Sequence, residues 1–262
     1  MDIYPQPEDN TDRHTMLAMV AINDKRLPPS QEIFDYYYQN WPSSPEVTDD
    51  DRDDNVMVFN MGDSAGIIAL VTAPIPWSEL EGPCATAWYW PDACQELEKH
   101  VSHVIVSLIS PSGDLISQAL TLTKLVGSVS SLSDSAGIYW GSGSLVHSPE
   151  TFMDLSSDIN RENLPLLLWI DFRLIRDSEN KYSLITTGLD NFDLMEIEII
   201  NSTSDPESVM EFGISITNYL MENGPIIRDG DTIGSSASQR IKVNFEPSIW
   251  DESREVYRIY LP

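Results

Sequence analysis

The stretch 114–132, DLISQALTLTKLVGSVSSL, decides how the chain must fold. Asp114 can cap a helix N-terminus, and Leu115, Ile116, Ala119, Leu120, Leu122, Leu125, Val126, Val129 and Leu132 follow at helical spacing. An apolar face that wide belongs in a core, so this is the candidate central helix. Working upstream, the alternating and then continuous apolar run from His103 to Ile109 reads as a strand, preceded by a short helix that begins at Pro91 and Asp92 and ends near His100. The prolines Pro74, Pro76 and Pro83 predict an irregular, tryptophan-containing segment. Strands are expected at Val56–Met61 and Gly66–Ala73, joined by the turn Gly62-Asp63-Ser64. Further back, Met16–Ile22 reads as a buried strand, and Ser30 opens a helix with Ile33, Phe34, Tyr37, Tyr38 and Trp41 on one face. The resulting order βαββαβ suits a ferredoxin-like layer of helices on an antiparallel sheet.

Downstream, the pattern predicts a strand at Gly137–Trp140, a helix at Pro149–Ser157, and strands at Pro165–Phe172, Tyr182–Thr187 and Leu194–Ile200. The next helix is clearly punctuated: Asp205 at the N-cap, Pro206 at the first helical position, Gly224 past the end and Pro225 after it. Strands Gln239–Phe245 and Glu255–Tyr260 close the chain. The expectation is an α+β fold in which a mostly antiparallel mixed sheet packs with helices as a single domain over 13–262. Its halves, 13–112 and 113–262, loosely repeat one another as pseudo-repeated ferredoxin-like layers. Residues 1–12, with two prolines and four acids, should form a flexible acidic tail.

Charge limits the function. With 42 Asp and Glu against 15 Lys and Arg, the formal net charge of −27 repels phosphates and anionic lipid headgroups, so neither nucleic acid nor a membrane is an expected direct partner. The N-terminus lacks the basic and apolar regions of a secretory signal, and a cytoplasmic location is expected. The acids are unevenly spread. The windows 53–98 and 182–227 each hold eight acids and no Lys or Arg, and Glu46–Asp54 packs six acids around one arginine, which predicts a solvated loop. Trp77, Trp88, Tyr89 and Trp90 fall within the first of those windows, and aromatic residues beside charge are typical of interface hot spots.

Catalytic signatures are weak. Glu96, His100 and His103 form Glu-x-x-x-His-x-x-His, a spacing open to zinc but equally suited to packing at a helix end and a strand rim. Gly141-Ser142-Gly143-Ser144 lacks the Lys-Ser/Thr of a phosphate-binding loop. The run Asp229-Gly230-Asp231-Thr232 lacks the terminal Glu of a calcium loop, since its twelfth position is Arg240. Cys84 and Cys94 are too few for a disulfide framework and are read as free thiols. No cofactor, metal site or catalytic residue is expected.

The motifs Ala73-Pro74-Ile75-Pro76-Trp77, Trp90-Pro91-Asp92-Ala93, Gly137-Ile138-Tyr139-Trp140-Gly141, Leu168-Trp169-Ile170-Asp171-Phe172-Arg173, Thr187-Gly188-Leu189, Glu196-Ile197-Glu198 and Gly230-Asp231-Thr232-Ile233-Gly234, with His100 and His103, occur in an order that resembles a bacterial family catalogued as domain of unknown function 4261. The resemblance runs from about Met16 to Tyr260. It implies a single α+β unit and carries over no catalytic residue. The acidic segment Glu46–Asp54 lies outside these motifs, as a recognition element of this chain would.

The function expected from the sequence is a non-enzymatic binding protein, most concretely an immunity protein that occludes the cationic groove of a basic toxin, such as a nuclease delivered by a type VI secretion system. Its expected partner-binding residues are Glu46, Asp49, Asp50, Asp51, Asp53, Asp54, Trp77 and Trp88. The alternative is a hydrolase or metal-dependent enzyme built on Glu96, His100 and His103, with Asp229 and Asp231.

Overall fold

The computed structural model describes residues 14–111, 113–141, 143–234 and 240–262, and leaves the side chains of residues 49–52 undescribed. The expected acidic tail, 1–12, lies outside the described residues, as does Gln239 at the start of an expected strand. The chain begins with β1 (His14–Ile22), α1 (Ser30–Asn40), β2 (Val47–Arg52), β3 (Val56–Met61), β4 (Ser64–Val71), α2 (Trp77–Thr86), α3 (Ala93–Leu97), β5 (Ser102–Ser110), α4 (Leu115–Ser131), β6 (Ser135–Trp140) and β7 (Leu145–His147). These strands form one sheet in the order β2-β3-β4-β5-β1-β6-β7, with every pair antiparallel. There follow α5 (Pro149–Ser156), α6 (Leu166–Trp169), β8 (Asp171–Ser178), β9 (Lys181–Thr187), a 3-10 turn (Leu189–Phe192), β10 (Ile197–Ser202), α7 (Pro206–Asn223), β11 (Thr232–Ile233), β12 (Ile241–Pro247) and β13 (Glu255–Ile259). The second sheet has the order β11-β12-β13-β10-β9-β8, and only β10 and β13 pair in parallel.

The α+β expectation holds, with two sheets where one was expected. The first sheet is completed by β6 and β7, which lie beyond residue 112, and the two sheets do not show a repeated order.

Helix α4 is the hinge of the packing. The Asp114 carboxylate accepts the Ser117 N–H at 3.1 Å and also pairs with Arg161, which fixes where the helix starts. From there Leu115, Ala119, Leu122, Leu125, Val126 and Val129 are buried, and so are the polar Gln118, Thr123, Ser128 and Ser130. A helix buried on nearly every side must satisfy its polar groups internally. Gln118 Nε2 donates to the carbonyls of His14 and Leu108, 2.9 Å each, tying α4 to the ends of β1 and β5. Thr123 Oγ1 donates to the Ala119 carbonyl and accepts the Trp169 indole N–H, both at 2.8 Å, which joins α4 to the second half of the chain. One continuous cluster of buried side chains therefore runs from Val20 and Val106 in the first sheet through α4 to Leu184, Ile199 and Ile259 in the second.

The other face of the first sheet carries a smaller cluster: Ala21, Ile75, Leu80, Cys84, Trp90, Leu97 and Val146. Pro74 and Pro76 lie in an irregular stretch as expected, but Trp77–Thr86 forms α2 with Pro83 inside it, because Leu80 and Cys84, one turn apart, bury this short helix against the sheet. Gly137 makes that packing possible: a Cβ there would sit 2.7 Å from the Trp90 ring and 2.8 Å from Leu97.

Two further expectations are corrected. Glu46–Asp54 was expected to be a loop, yet Val47–Arg52 is an edge strand paired with β3. Like charges do not prevent an edge strand, and charge on an edge strand discourages sheet-to-sheet aggregation. Pro165–Phe172 was expected to be a strand but makes one helical turn, α6, before β8 begins at Asp171. An apolar run of that length does not distinguish strand from buried helix by periodicity.

A buried ion pair crosses the parallel strands of the second sheet. Arg258 and Glu198 face each other in register at 2.9 Å, with side chains 4% and 1% exposed. The Ser248 hydroxyl donates to Glu198, and Arg258 donates to the Pro247 carbonyl at 2.7 Å. Arg258→Met, which strands a buried carboxylate, should cost about 3–5 kcal/mol in urea unfolding, whereas the double change Arg258→Met with Glu198→Leu should recover most of it. A double variant no more stable than the single one would show that the polar pair itself is required.

Candidate functional site

The histidine constellation is dispersed by its own hydrogen bonds. His100 Nδ1 donates to the Leu97 carbonyl, leaving Nε2 to accept the Ile75 N–H at 2.7 Å. His103 Nδ1 donates to the Ala73 carbonyl at 2.8 Å, and burial lowers its pKa. Both rings thus pin the Ala73–Ile75 segment to the start of β5. Glu96 is exposed on α3, whereas His100, beyond the end of that helix, is buried. Asp229 accepts the Phe245 N–H and Asp231 the Arg228 N–H, each at 2.8 Å, so both acids shape a turn. Among the described residues, no three His, Cys, Asp or Glu side chains gather as metal ligands.

The expected partner-binding residues separate into two places. Glu46, Asp53 and Asp54 are exposed around β2, and Asp53 Oδ1 also accepts the N–H groups of Asn55 and Val56 at 2.8 Å to form the β2–β3 turn. Asp49, Asp50 and Asp51 lie on β2 itself, with undescribed side chains. Trp77 opens α2 and Trp88 follows it, both exposed, and α2 packs beside β7 at the other edge of the sheet. Six strand spacings of about 4.8 Å put roughly 29 Å between the two edges. The acidic strand and the Trp88 region are therefore distinct surfaces.

Trp88 stands at the mouth of a cavity of about 130 Å³ walled by Tyr89, Leu145, His147, Ile170, Phe172 and Met210. Its rim is apolar and open: Trp88 is 72% exposed, Leu155 38% and Leu167 48%. Leu155 and Leu167 form a ridge shared with a shallower depression of about 650 Å³ along α5 that includes Asp154 and Asp158. No Lys or Arg lines either one. A wider depression of about 890 Å³ between α7 and β11 contains Glu211 and Asp231, but both are exposed and none of its walls buries a titratable group.

The small cavity does bury titratable groups. His147 lies between the rings of Tyr89 and Phe152, with centroids 5.9 and 6.0 Å away, and its Nε2 donates to the Leu168 carbonyl at 3.2 Å. Complete burial pushes its pKa down to about 4, so it is neutral near pH 7. The Tyr89 hydroxyl donates to the Val146 carbonyl at 3.0 Å, and burial, then the nearby Asp171 charge, raise its pKa. Burial also raises the pKa of Asp171, against the opposing pull of Arg173, whose guanidinium donates to Asp171 Oδ2 at 2.8 Å. Of this site, sequence reasoning identified Trp88 as a site residue. It missed Leu155, Leu167 and Asp171, whose one signal was the run 164–170, more apolar than a single strand requires.

Among the described residues, seven helices, a 3-10 turn and two sheets joined by one core define an α+β protein with a small apolar cavity at its helical edge. Residues 185–260 match the model of a family described as a domain of unknown function (DUF4261), the family that the motif order resembles. No curated protein matches the chain. The matched stretch holds the Glu198–Arg258 pair and a second buried carboxylate, Glu196, which accepts the N–H groups of Gly188 and Leu189 at 2.8 and 2.9 Å. Gly188 has φ +116°, and a Cβ there would meet the Trp169 carbonyl at 2.8 Å. The Thr187-Gly188-Leu189 and Glu196-Ile197-Glu198 motifs thus hold the 3-10 turn beneath Trp169, where Phe192 stacks on the indole at 5.5 Å.

The neutrality of His147 has a consequence for acid stability. Its folded pKa lies below the unfolded value of 6.5, so its contribution is complete above that value and is lost as the pH falls towards about 4. The loss should approach about 3 kcal/mol. Ring-proton NMR should show His147 unprotonated at pH 5. A midpoint near 6.5 would contradict its burial.

Proposed function

We propose that this is a binding protein for a basic protein partner and, most concretely, a cytoplasmic immunity protein that covers the cationic groove of a cognate toxin such as a secreted nuclease. The observation that carries the reading is the strip formed by Trp88, Leu155 and Leu167: exposed apolar side chains over two adjoining depressions that contain Asp154, Asp158 and Asp171 and are lined by no Lys or Arg. An exposed apolar strip bordered by more acids than bases, with Arg173 paired to Asp171 as the adjoining cation, favours a partner with apolar anchors and basic groups. Among the described residues, no helix is long and apolar enough to cross a membrane.

In this reading the two surfaces have different tasks. Acids around β2 attract the partner from a distance, while the Trp88 strip loses its water on contact and holds it. Replacing Glu46, Asp49, Asp50, Asp51, Asp53 and Asp54 with Gln or Asn should slow association with the cognate toxin roughly tenfold at low salt and flatten its salt dependence, leaving dissociation nearly unchanged. Co-expression provides the functional check. If that toxin kills equally well with the wild-type protein present, the reading fails and the acidity is a solubility trait.

A further inference from the structure

The cavity beside Trp88 has a size that selects its occupant. Ligand and cofactor pockets run to roughly 300–1,000 Å³, whereas about 130 Å³ equals only about four waters at some 30 Å³ each. A space of that volume, open at one end and ringed by exposed apolar side chains, fits a single side chain inserted from another protein.

Its polarity narrows the choice further. The polar groups of the wall have partners: the Tyr89 hydroxyl donates to Val146, His147 Nε2 donates to Leu168, and the Thr151 hydroxyl accepts from the Ser148 hydroxyl. His147 is neutral and brings no positive charge. The exception is Asp171, the one acid in the lining, whose side chain is 14% exposed. Arg173 occupies Oδ2, while Oδ1 receives no hydrogen bond from the described residues. That leaves a half-satisfied carboxylate within an apolar wall. A buried carboxylate in such a setting is stabilised most by a cation that carries its own apolar stem, because the stem replaces water along the wall while the charged head pairs with the free oxygen.

Resting on the reading of a basic partner, we propose that this cavity receives one arginine or lysine side chain of that partner, its stem against Trp88, Leu155 and Leu167 and its cation at Asp171. The Trp88 face adds a cation–π contact for the incoming group. Arginine suits it better than lysine, since a planar guanidinium can stack on the indole while donating to the carboxylate.

The test uses the full chain, labelled with ¹⁵N, and end-blocked pentapeptides Gly-Gly-X-Gly-Gly in which X is arginine, its neutral isostere citrulline, or norleucine. Saturable shifts at the Trp88 indole N–H are expected with the arginine peptide, at least tenfold tighter than with citrulline or norleucine. Asp171→Asn should remove that preference, and Trp88→Ala should weaken arginine binding at least tenfold. Unchanged indole signals from the fully buried Trp140 and Trp169 would show that both variants are folded. Equal binding of the citrulline or norleucine peptide, an Asp171→Asn variant that keeps the preference, or the lack of any saturable shift would each overturn the proposal. If the cognate toxin binds both variants as tightly as the wild type, the pocket is wrong while the basic-partner reading stands. A toxin that fails to bind the wild type removes that reading and leaves the peptide result to judge the cavity alone.

Discussion

The structure depends on a helix that keeps only a narrow stripe, including Ser117, Thr121, Lys124 and Ser131, partly or fully exposed. Buried around the rest of its circumference, α4 packs on β1, β5 and β6 of the first sheet and reaches the 3-10 turn of the second half. Burying apolar area yields about 25 cal/mol per Å², but only if the polar groups carried inside remain bonded. The Gln118 Nε2 and the Thr123 hydroxyl meet that condition in opposite directions, the first towards β1 and β5, the second towards Trp169, while Gln118 Oε1 stays buried without a partner among the described residues. That second link fixes Trp169, while α5 packs directly on α4 and β6. With Trp169 fixed, the 3-10 turn stacks beneath it, Gly188 can approach its carbonyl, and β8 leaves in a direction that brings Asp171 beside Tyr89.

Much of this frame was legible. Asp114 and Asp205 cap their helices as their positions suggested, and the strands β1, β3, β5 and β9 fall close to their apolar patterns. These features are local, and local chemistry decides them. What was hidden depends on neighbours. The acidic segment became a strand because β3 offers it an unpaired edge, and Pro83 is tolerated in α2 because Leu80 and Cys84 are buried. The run 165–172 divides into a helical turn and a strand because Trp169 must reach Thr123.

The candidate site was half visible for the same reason. Composition and spacing drew attention to Trp88 and to the acids, but strand order decides distance. The order β2-β3-β4-β5-β1-β6-β7 carries the acidic strand and the Trp88 region to opposite edges, and no feature of the sequence encodes that permutation. Asp171, Leu155 and Leu167 converge from β8, α5 and α6 only after α4 and Trp169 are packed. The residues that define the family match, by contrast, are occupied with structure: Glu196 holds a turn, and Glu198 pairs with Arg258. The candidate recognition surface lies mostly outside that stretch, with Met210, Ile214, Ser215 and Asn218 inside it.

If α4 joins both sheets into one core, the two halves cannot unfold separately. Native-state hydrogen exchange measures this directly, because amides that open only in global unfolding share one free energy and one denaturant dependence. The slowest amides of α4, β5, β10 and α7 should all fall on that single value. A second-sheet group, β8 to β13 with α7, that exchanges at a distinctly lower free energy than α4 and β5 would contradict the account.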